Sequence, residues 1–83
     1  MAIETFEWTA HALLRLSERH LTRSDVEQAI REAHDERRPN EGAADWLVEG
    51  TTALGVAFEA IYDHPSHGEE TTARVVSAWR VAR

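Results

Sequence analysis

The sequence predicts an α+β domain in which two helices cover one face of an antiparallel sheet. Two amphipathic stretches with helix-start signals follow a short alternating segment near the N-terminus. Three more segments with strand-like alternation, separated by short polar connections, occupy the second half of the chain. Helices and strands grouped along the chain in this way are typical of α+β proteins. The predicted order is therefore β-α-α-β-β-β, in one domain that spans residues 1–83.

The first helix is predicted to follow directly after the first strand. In residues 3–8 (IETFEW), Phe6 and Trp8 fall on one side and Glu7 on the other, which favours a short strand with one wet face. Thr9 is a suitable N-cap for the helix that follows, and the helical pattern ends near Arg19 or His20. The side of this helix that is predicted to face the core carries Ala12, Leu13, Leu16, Ser17 and His20.

The second helix has two competing start signals. Thr22 followed by Asp25 resembles a capping box, and Leu21 and Val26 flank it as a hydrophobic staple. Ser24 is the alternative N-cap, so the predicted start is uncertain by two residues. The buried stripe of this helix is predicted to contain Val26, Ala29, Ile30 and Ala33.

The second half of the chain is predicted to form three strands. A charged surface loop covers residues 35–42, and strands follow at residues 45–49, 53–63 and 72–81. In the middle strand, the face that should pack on the helices carries Leu54, Val56, Phe58, Ala60 and Tyr62. The opposite side of the sheet, called the open face below, is predicted to carry Glu59, Arg74, Arg80, Gly55, Ala57 and Ala78.

Composition and charge exclude several classes of protein. The net charge of −6 argues against a non-specific nucleic-acid binder, because such proteins neutralise phosphates with basic residues. All nine basic residues are Arg, however. A guanidinium can bind a phosphate or carboxylate group through two parallel hydrogen bonds, so recognition of a specific anion is still possible. The chain has no Cys and no apolar run long enough to span a bilayer. We therefore expect a cytoplasmic protein with no membrane partner.

Most motifs that carry chemistry are missing from the sequence. Asp63, His64 and His67 are three potential metal ligands in one loop, but no HExxH motif or Cys/His framework supports them. The GxSxG motif and the glycine-rich phosphate loops are also absent. The sequence therefore predicts no metal and no cofactor.

The pattern that remains suits acid-base chemistry on an RNA phosphodiester, which needs no cofactor. His11 lies in the first turn of the first helix, where backbone N–H groups favour an anion, and Arg15 follows one turn later. Glu59 is an alternative base and Arg80 a transition-state donor, but they join His11 only if this helix lies along a sheet edge. Each residue also has a structural interpretation: His11 could cap a carbonyl, Arg15 could pair with Glu18 or another acid, and Glu59 could pair with Arg80 across strands.

Two parts of the sequence resemble a known group of proteins. Residues 6–30 (FEWTAHALLRLSERHLTRSDVEQAI) are similar to a family of small proteins with the pattern T-x-H-A-x-x-R-x-x-x-R-x-[IL]-[ST]-x-x-D/E-V. The matching positions are Thr9, His11, Ala12, Arg15, Arg19, Leu21, Thr22, Asp25 and Val26. The closing VVSAWR, with FEW near the start, resembles the BrnT toxins. Both groups are related to the RelE/ParE-like toxins.

The resemblance implies a RelE-like fold and a type II toxin that cleaves mRNA, often on the ribosome, and is neutralised by an antitoxin. It points to His11, Arg15 and Arg19, and to Ser77, Trp79 and Arg80 in the closing strand. Together with the charges of the open face, this gives two sets of candidates. The catalytic candidates are His11, Arg15, Glu59 and Arg80, and the RNA-binding candidates are Arg19, Arg74, Ser77 and Trp79.

Two other functions fit the same sequence. Toxins of this kind are usually basic, whereas this chain is acidic and has no Lys or Arg between Pro39 and Ala73. The acidic segment could instead dock a basic partner, which would make the chain a non-catalytic binding module or an inactive toxin homologue. Alternatively, Trp46 and Trp79 could form the contact of a homodimer, since Trp is enriched at interfaces.

Overall fold

A computed structural model of the chain describes residues 3–81. Two helices pack on one face of a five-stranded mixed sheet, so the α+β class is confirmed. The elements in chain order are β1 (Thr5–Trp8), α1 (Ala10–Glu18), α2 (Arg23–Ala33), a 3-10 helix (His34–Glu36), β2 (Arg38–Pro39), β3 (Trp46–Thr51), β4 (Ala57–Asp63) and β5 (Thr72–Arg80). The strands lie side by side in the order β1-β5-β4-β3-β2.

Both helices begin where their capping residues predict. The Thr9 hydroxyl accepts a hydrogen bond from the Ala12 backbone N–H at 2.9 Å. The Thr22 hydroxyl accepts one from the Asp25 N–H at 3.1 Å, so Thr22 rather than Ser24 caps α2. These side chains satisfy backbone donors that have no partner inside the helix. The N-cap prediction for each helix is confirmed.

The core lies between the helices and the inner face of β3, β4 and β5. The predicted stripe of α2 packs into it, with Val26 and Ile30 fully buried. Three predicted residues of β4 face the helices and are fully buried, namely Phe58, Ala60 and Tyr62. Leu54 was predicted on the same face, but it precedes β4 in a turn and is 92% exposed.

The prediction of a wholly antiparallel sheet is wrong at β1. Strands β3, β4 and β5 are antiparallel neighbours as expected, but β1 pairs parallel to β5, with Thr5 opposite Thr72. Two helices separate β1 from the hairpin strands and bring it to the far edge of the sheet. The predicted loop 35–42 also contains a two-residue strand, because Arg38 and Pro39 pair with the start of β3.

The side-chain pattern of β5 shifts at a bulge. Ile61 pairs with Ser77, but the next residue of β4, Tyr62, pairs with Val75, so Val76 is an extra residue in β5. Because of this shift, both Val75 and Ala78 point into the core. The prediction that Ala78 lies on the open face is therefore wrong.

Arg80 also lies on the helix side of the sheet, contrary to the prediction. It is the direct partner of the buried Phe58, and it lines a cavity of about 450 Å³ together with His20 and residues at the start of α2. Directly opposite residues of an antiparallel pair share a face, so Arg80 cannot join Glu59 on the other face. Gly55, also placed on the open face by the sequence, lies in the turn before β4.

We predict that Gly50→Ala destabilises the fold by about 1–3 kcal/mol, because the new methyl group overpacks the contact between α2 and β3. A Cβ at Gly50 would lie 2.5 Å from the Ala29 Cβ and 2.7 Å from the Phe58 Cζ. Urea unfolding measures the decrease in the free energy of unfolding. Thr51→Ala is the control on the same strand, since Thr51 is exposed and surface changes usually cost less than about 0.5 kcal/mol. Equal stability of the Gly50 variant and the wild type would contradict this packing.

Candidate functional site

The open face of the sheet carries a row of three side chains that cross three strands. Glu49 in β3, Glu59 in β4 and Trp79 in β5 are direct neighbours in the strand register. The Trp79 indole N–H donates a hydrogen bond to the Glu59 carboxylate at 3.0 Å. This bond fixes one oxygen of Glu59, and the side chain stays 23% exposed. A carboxylate held in this way on an exposed sheet face is available to a ligand.

Arg38 approaches this row from the edge strand β2. One of its guanidinium nitrogens lies 3.7 Å from the Glu59 carboxylate and 3.5 Å from that of Glu49. Both distances exceed the roughly 2.7–2.9 Å of a charge-assisted hydrogen bond. The Arg38 side chain is also 60% exposed, so it can turn toward a bound anion. The sequence places Arg38 in the surface loop, from which it could reach a partner, but does not predict the edge strand that brings it beside Glu59. Pro39 is compatible with such a strand, since Pro within sheets is confined largely to edges.

Two other predicted residues share the open face. Ser77 is two residues before Trp79 on β5, and Arg74 forms an ion pair of 3.6 Å with Asp63. Arg19 reaches the same strand from the end of α1. Its guanidinium donates to the Ala78 carbonyl at 2.6 Å and lies 3.5 Å from the Ser77 hydroxyl. The structure thus places Glu59, Trp79 and Ser77 close together on the open face, with Arg19 at the edge of β5. Arg74 shares this face but lies beside Asp63, toward the other end of β4.

The structure does not bring His11 and Arg15 into this group. His11 is exposed in the first turn of α1, and its side chain has no hydrogen-bond partner among residues 3–81. Arg15 forms an ion pair with Glu18 at 2.7 Å, which is the competing interpretation that the sequence left open. Neither residue lines a cavity that we find in the described part of the chain. The His11 imidazole and the Arg15 guanidinium therefore lie on the outside of α1.

A family profile matches residues 8–80, which is most of the chain. Its description is a domain of unknown function, DUF4258. The chain belongs to this family. The description gives DUF4258 no activity and makes no connection to the RelE/ParE or BrnT toxins. The search of curated proteins and the search of solved structures gave no significant match.

The three potential metal ligands of this DUF4258 chain, Asp63, His64 and His67, each contact a different partner. The Asp63 carboxylate accepts from the Asp45 backbone N–H, the His64 ring contacts the Glu70 carbonyl, and the His67 ring lies 3.4 Å from Glu7. Within residues 3–81, no three His, Asp or Glu side chains are placed to share a metal ion. The same part of the chain contains no helix of the length and apolarity needed to cross a membrane.

A second cluster of titratable groups lies at the other end of the sheet, between the 3-10 helix and the end of β4. His34 is only 8% exposed, and its Nδ1 is 2.7 Å from the hydroxyl of the fully buried Tyr62. Its ring also meets the His64 ring edge-on, with centroids 4.5 Å apart. Sequence reasoning missed this cluster, because His34 and Tyr62 are 28 residues apart and match no motif.

Burial controls the protonation of this cluster. Burial lowers the pKa of His34, and the nearby charges of Arg37 and His64 lower it further. Burial also raises the pKa of Tyr62 to about 12, so the phenol stays protonated at neutral pH. The pair is therefore a neutral hydrogen bond in the interior, and protonating His34 would place a cation beside Arg37.

We predict that acidification below pH 6.5 destabilises the fold through His34. A base with a lowered pKa in the folded state binds protons more readily when unfolded, so it stabilises the fold fully above pH 6.5 and loses this effect as the pH falls. Urea unfolding at pH 7.5 and 5.5 should show a smaller acid-induced loss of stability for His34→Gln than for the wild type.

His11→Gln is the matched control for this experiment, because His11 is exposed on α1. Its acid-induced loss of stability should equal that of the wild type. The interpretation fails if His34→Gln loses as much stability on acidification as the wild type does.

Proposed function

We propose that the chain is a toxin-like, metal-independent endoribonuclease that uses the open face of its sheet. The observation that carries the proposal is the Glu59 carboxylate, held by the Trp79 indole at 3.0 Å and approached by Arg38 at 3.7 Å. On one exposed face, Glu59 supplies a proton acceptor, Arg38 supplies hydrogen-bond donors for a phosphate, and Trp79 supplies an aromatic surface. RNA cleavage through its own 2′-hydroxyl needs these functions and no cofactor.

The proposed reaction begins at the Glu59 carboxylate. It takes the proton of a ribose 2′-hydroxyl, and the 2′-oxygen attacks the adjacent phosphorus. The bond from phosphorus to the 5′-oxygen breaks, leaving a 2′,3′-cyclic phosphate, and the 5′-oxygen takes a proton from water. The hydroxide formed takes the proton from Glu59, which regenerates the carboxylate. Arg38 turns from Glu49 to donate to the charge that develops on the phosphate, because a guanidinium matches phosphate geometry. Trp79 offers the surface on which a base can stack.

The same proposal includes the finer fold assignment and the partner. We infer that the fold is RelE-like, which is supported by two N-terminal helices on one sheet face and three antiparallel strands that present the other face. An antitoxin that covers the open face would block Glu59 and Arg38 together. The cleaved RNA would be messenger RNA, free or on the ribosome. Cytoplasmic location and a homodimer remain predictions.

The alternative function is a binding module for a basic partner. A groove of about 130 Å³ between α2 and β3 is lined by the acidic residues Asp25 and Glu32 of α2 and Glu36 of the 3-10 helix. Such a surface favours a cationic partner and repels RNA. An inactive but stably folded protein that binds a basic polypeptide would support this alternative.

We predict that Glu59→Gln lowers RNA cleavage by about 10²-fold or more, because general bases contribute about 10²–10⁴-fold. The amide keeps an acceptor for Trp79 but cannot take a proton at neutral pH. The assay incubates the purified chain with single-stranded RNA in EDTA and measures the rate at which 2′,3′-cyclic phosphate ends appear. Induced expression of the wild type, but not of this variant, should slow growth.

Glu41→Gln is the matched control, since it makes the same charge change at an exposed loop position. It should cleave RNA at the wild-type rate. His11→Ala separates the two candidate bases, and it too should keep nearly full activity. Intact RNA with the wild type, or activity lost in His11→Ala and kept in Glu59→Gln, would overturn the proposed site.

A further inference from the structure

A cleft of about 410 Å³ lies beside the buried His34 and has no role in the proposed cleavage reaction. Its volume is within the range of small-molecule sites, which is about 300–1,000 Å³. It is formed where the 3-10 helix, the start of β3 and the loop after β4 meet. The lining residues are His34, Asp35, Arg37, Trp46, His64, Pro65 and Glu70.

The two imidazoles of the cleft each keep one nitrogen for a ligand. The Nε2 of His64 is 2.6 Å from the Glu70 carbonyl oxygen, and a carbonyl can only accept, so Nε2 donates and Nδ1 is left as an acceptor. His34 uses Nδ1 with Tyr62, and its Nε2 has no hydrogen-bond partner among residues 3–81. The cleft wall therefore contains ring nitrogens that the described part of the protein does not use.

Arg37 presents an unused edge of its guanidinium to the same region. Its Nη1 donates to the His34 carbonyl at 2.8 Å, and the group stacks on the Trp46 ring at 4.3 Å. Its Nε is buried and is the one buried side-chain nitrogen or oxygen in residues 3–81 without a hydrogen-bond partner. Nε and Nη2 form the edge of Arg that binds two oxygens of an oxyanion, and a buried donor without a partner is costly.

The rest of the lining restricts the ligand further. Trp46 and Pro65 give an apolar wall, and the cleft is much larger than one oxyanion. Asp35 and Glu70 add carboxylates, which accept hydrogen bonds from hydroxyl groups and repel a second negative group. A ligand with one anionic group on a hydroxyl-bearing body satisfies both sets of residues.

We propose that this cleft binds the phosphate group of a small hydroxylated organic phosphate. Arg37 holds two phosphate oxygens through its free edge. His34 accepts from the Tyr62 hydroxyl at Nδ1, so its Nε2–H donates to the phosphate, and the Nδ1 of His64 accepts from a hydroxyl group of the ligand. The rim carboxylates of Asp35 and Glu70 accept hydrogen bonds from the hydroxyl groups of the ligand. This site is separate from Glu59 and Trp79 and does not depend on the ribonuclease proposal.

The test is an NMR titration of the full chain with ribose 5-phosphate at pH 7.5, which follows the ring signals of His34, His64 and Trp46. We expect saturable shifts centred on these three residues. Inorganic phosphate should bind more weakly, and ribose alone should cause no such shifts. A bound phosphate also favours the imidazolium, so the titration midpoint of His34 should rise when ribose 5-phosphate is present.

Arg37→Gln should weaken the binding of ribose 5-phosphate about tenfold or more, since it removes charge-assisted hydrogen bonds. Arg37→Lys keeps the positive charge but loses the two parallel N–H donors of the guanidinium, so its affinity for ribose 5-phosphate should lie between those of Arg37→Gln and the wild type. Arg23→Gln is the matched control, because Arg23 is exposed at the start of α2, and it should bind like the wild type. Circular dichroism and thermal unfolding verify that each variant is folded.

Three results would overturn the proposal. The first is a wild type whose His34 and His64 signals do not respond to ribose 5-phosphate in a saturable way. The second is equal affinity of folded Arg37→Gln and the wild type. The third is equal affinity for inorganic phosphate and ribose 5-phosphate, because the rim carboxylates would then contribute nothing.

Discussion

The irregular pairing of β4 with β5 decides which side chains reach the core and which reach the open face. In a regular strand, Val75, Ser77 and Trp79 would share one side. The extra residue in β5 shifts the alternation by one, so that Val75 and Ala78 both pack under the helices. Trp79 is left on the other face, directly opposite Glu59. The proposed site depends on this single shift.

The sequence contained enough information to place the helices and most of the core. Threonine hydroxyls at Thr9 and Thr22 mark both helix starts, and the spacing of apolar residues on α2 identifies its buried side. Local hydrogen bonds and periodicity determine these features, so they can be read from a short window. The position of β1 beside β5 cannot be predicted from such a window, because it depends on contacts between the two ends of the chain.

The candidate site was predictable only in part, for similar reasons. Alternation along β4 correctly put Glu59 on the open face. Regular alternation along RVVSAWR put Ala78 and Arg80 there too, and the bulge in β5 reverses this by placing Ser77 and Trp79 on that face instead. Arg38 was missed because two residues are too few for a strand pattern. The contact between His34 and Tyr62 joins distant segments, so no local pattern indicates it.

The contact of Arg19 has a consequence for how the molecule behaves among copies of itself. β1 covers only Thr72–Val75 of its neighbour, which leaves the second half of β5 without a partner strand on that side in the described part of the chain. Such a free strand edge is a template for pairing with another chain and for aggregation. By occupying the Ala78 carbonyl, Arg19 makes this edge a poor template. The arginine that the sequence assigns to RNA therefore also occupies an acceptor on the free edge of β5.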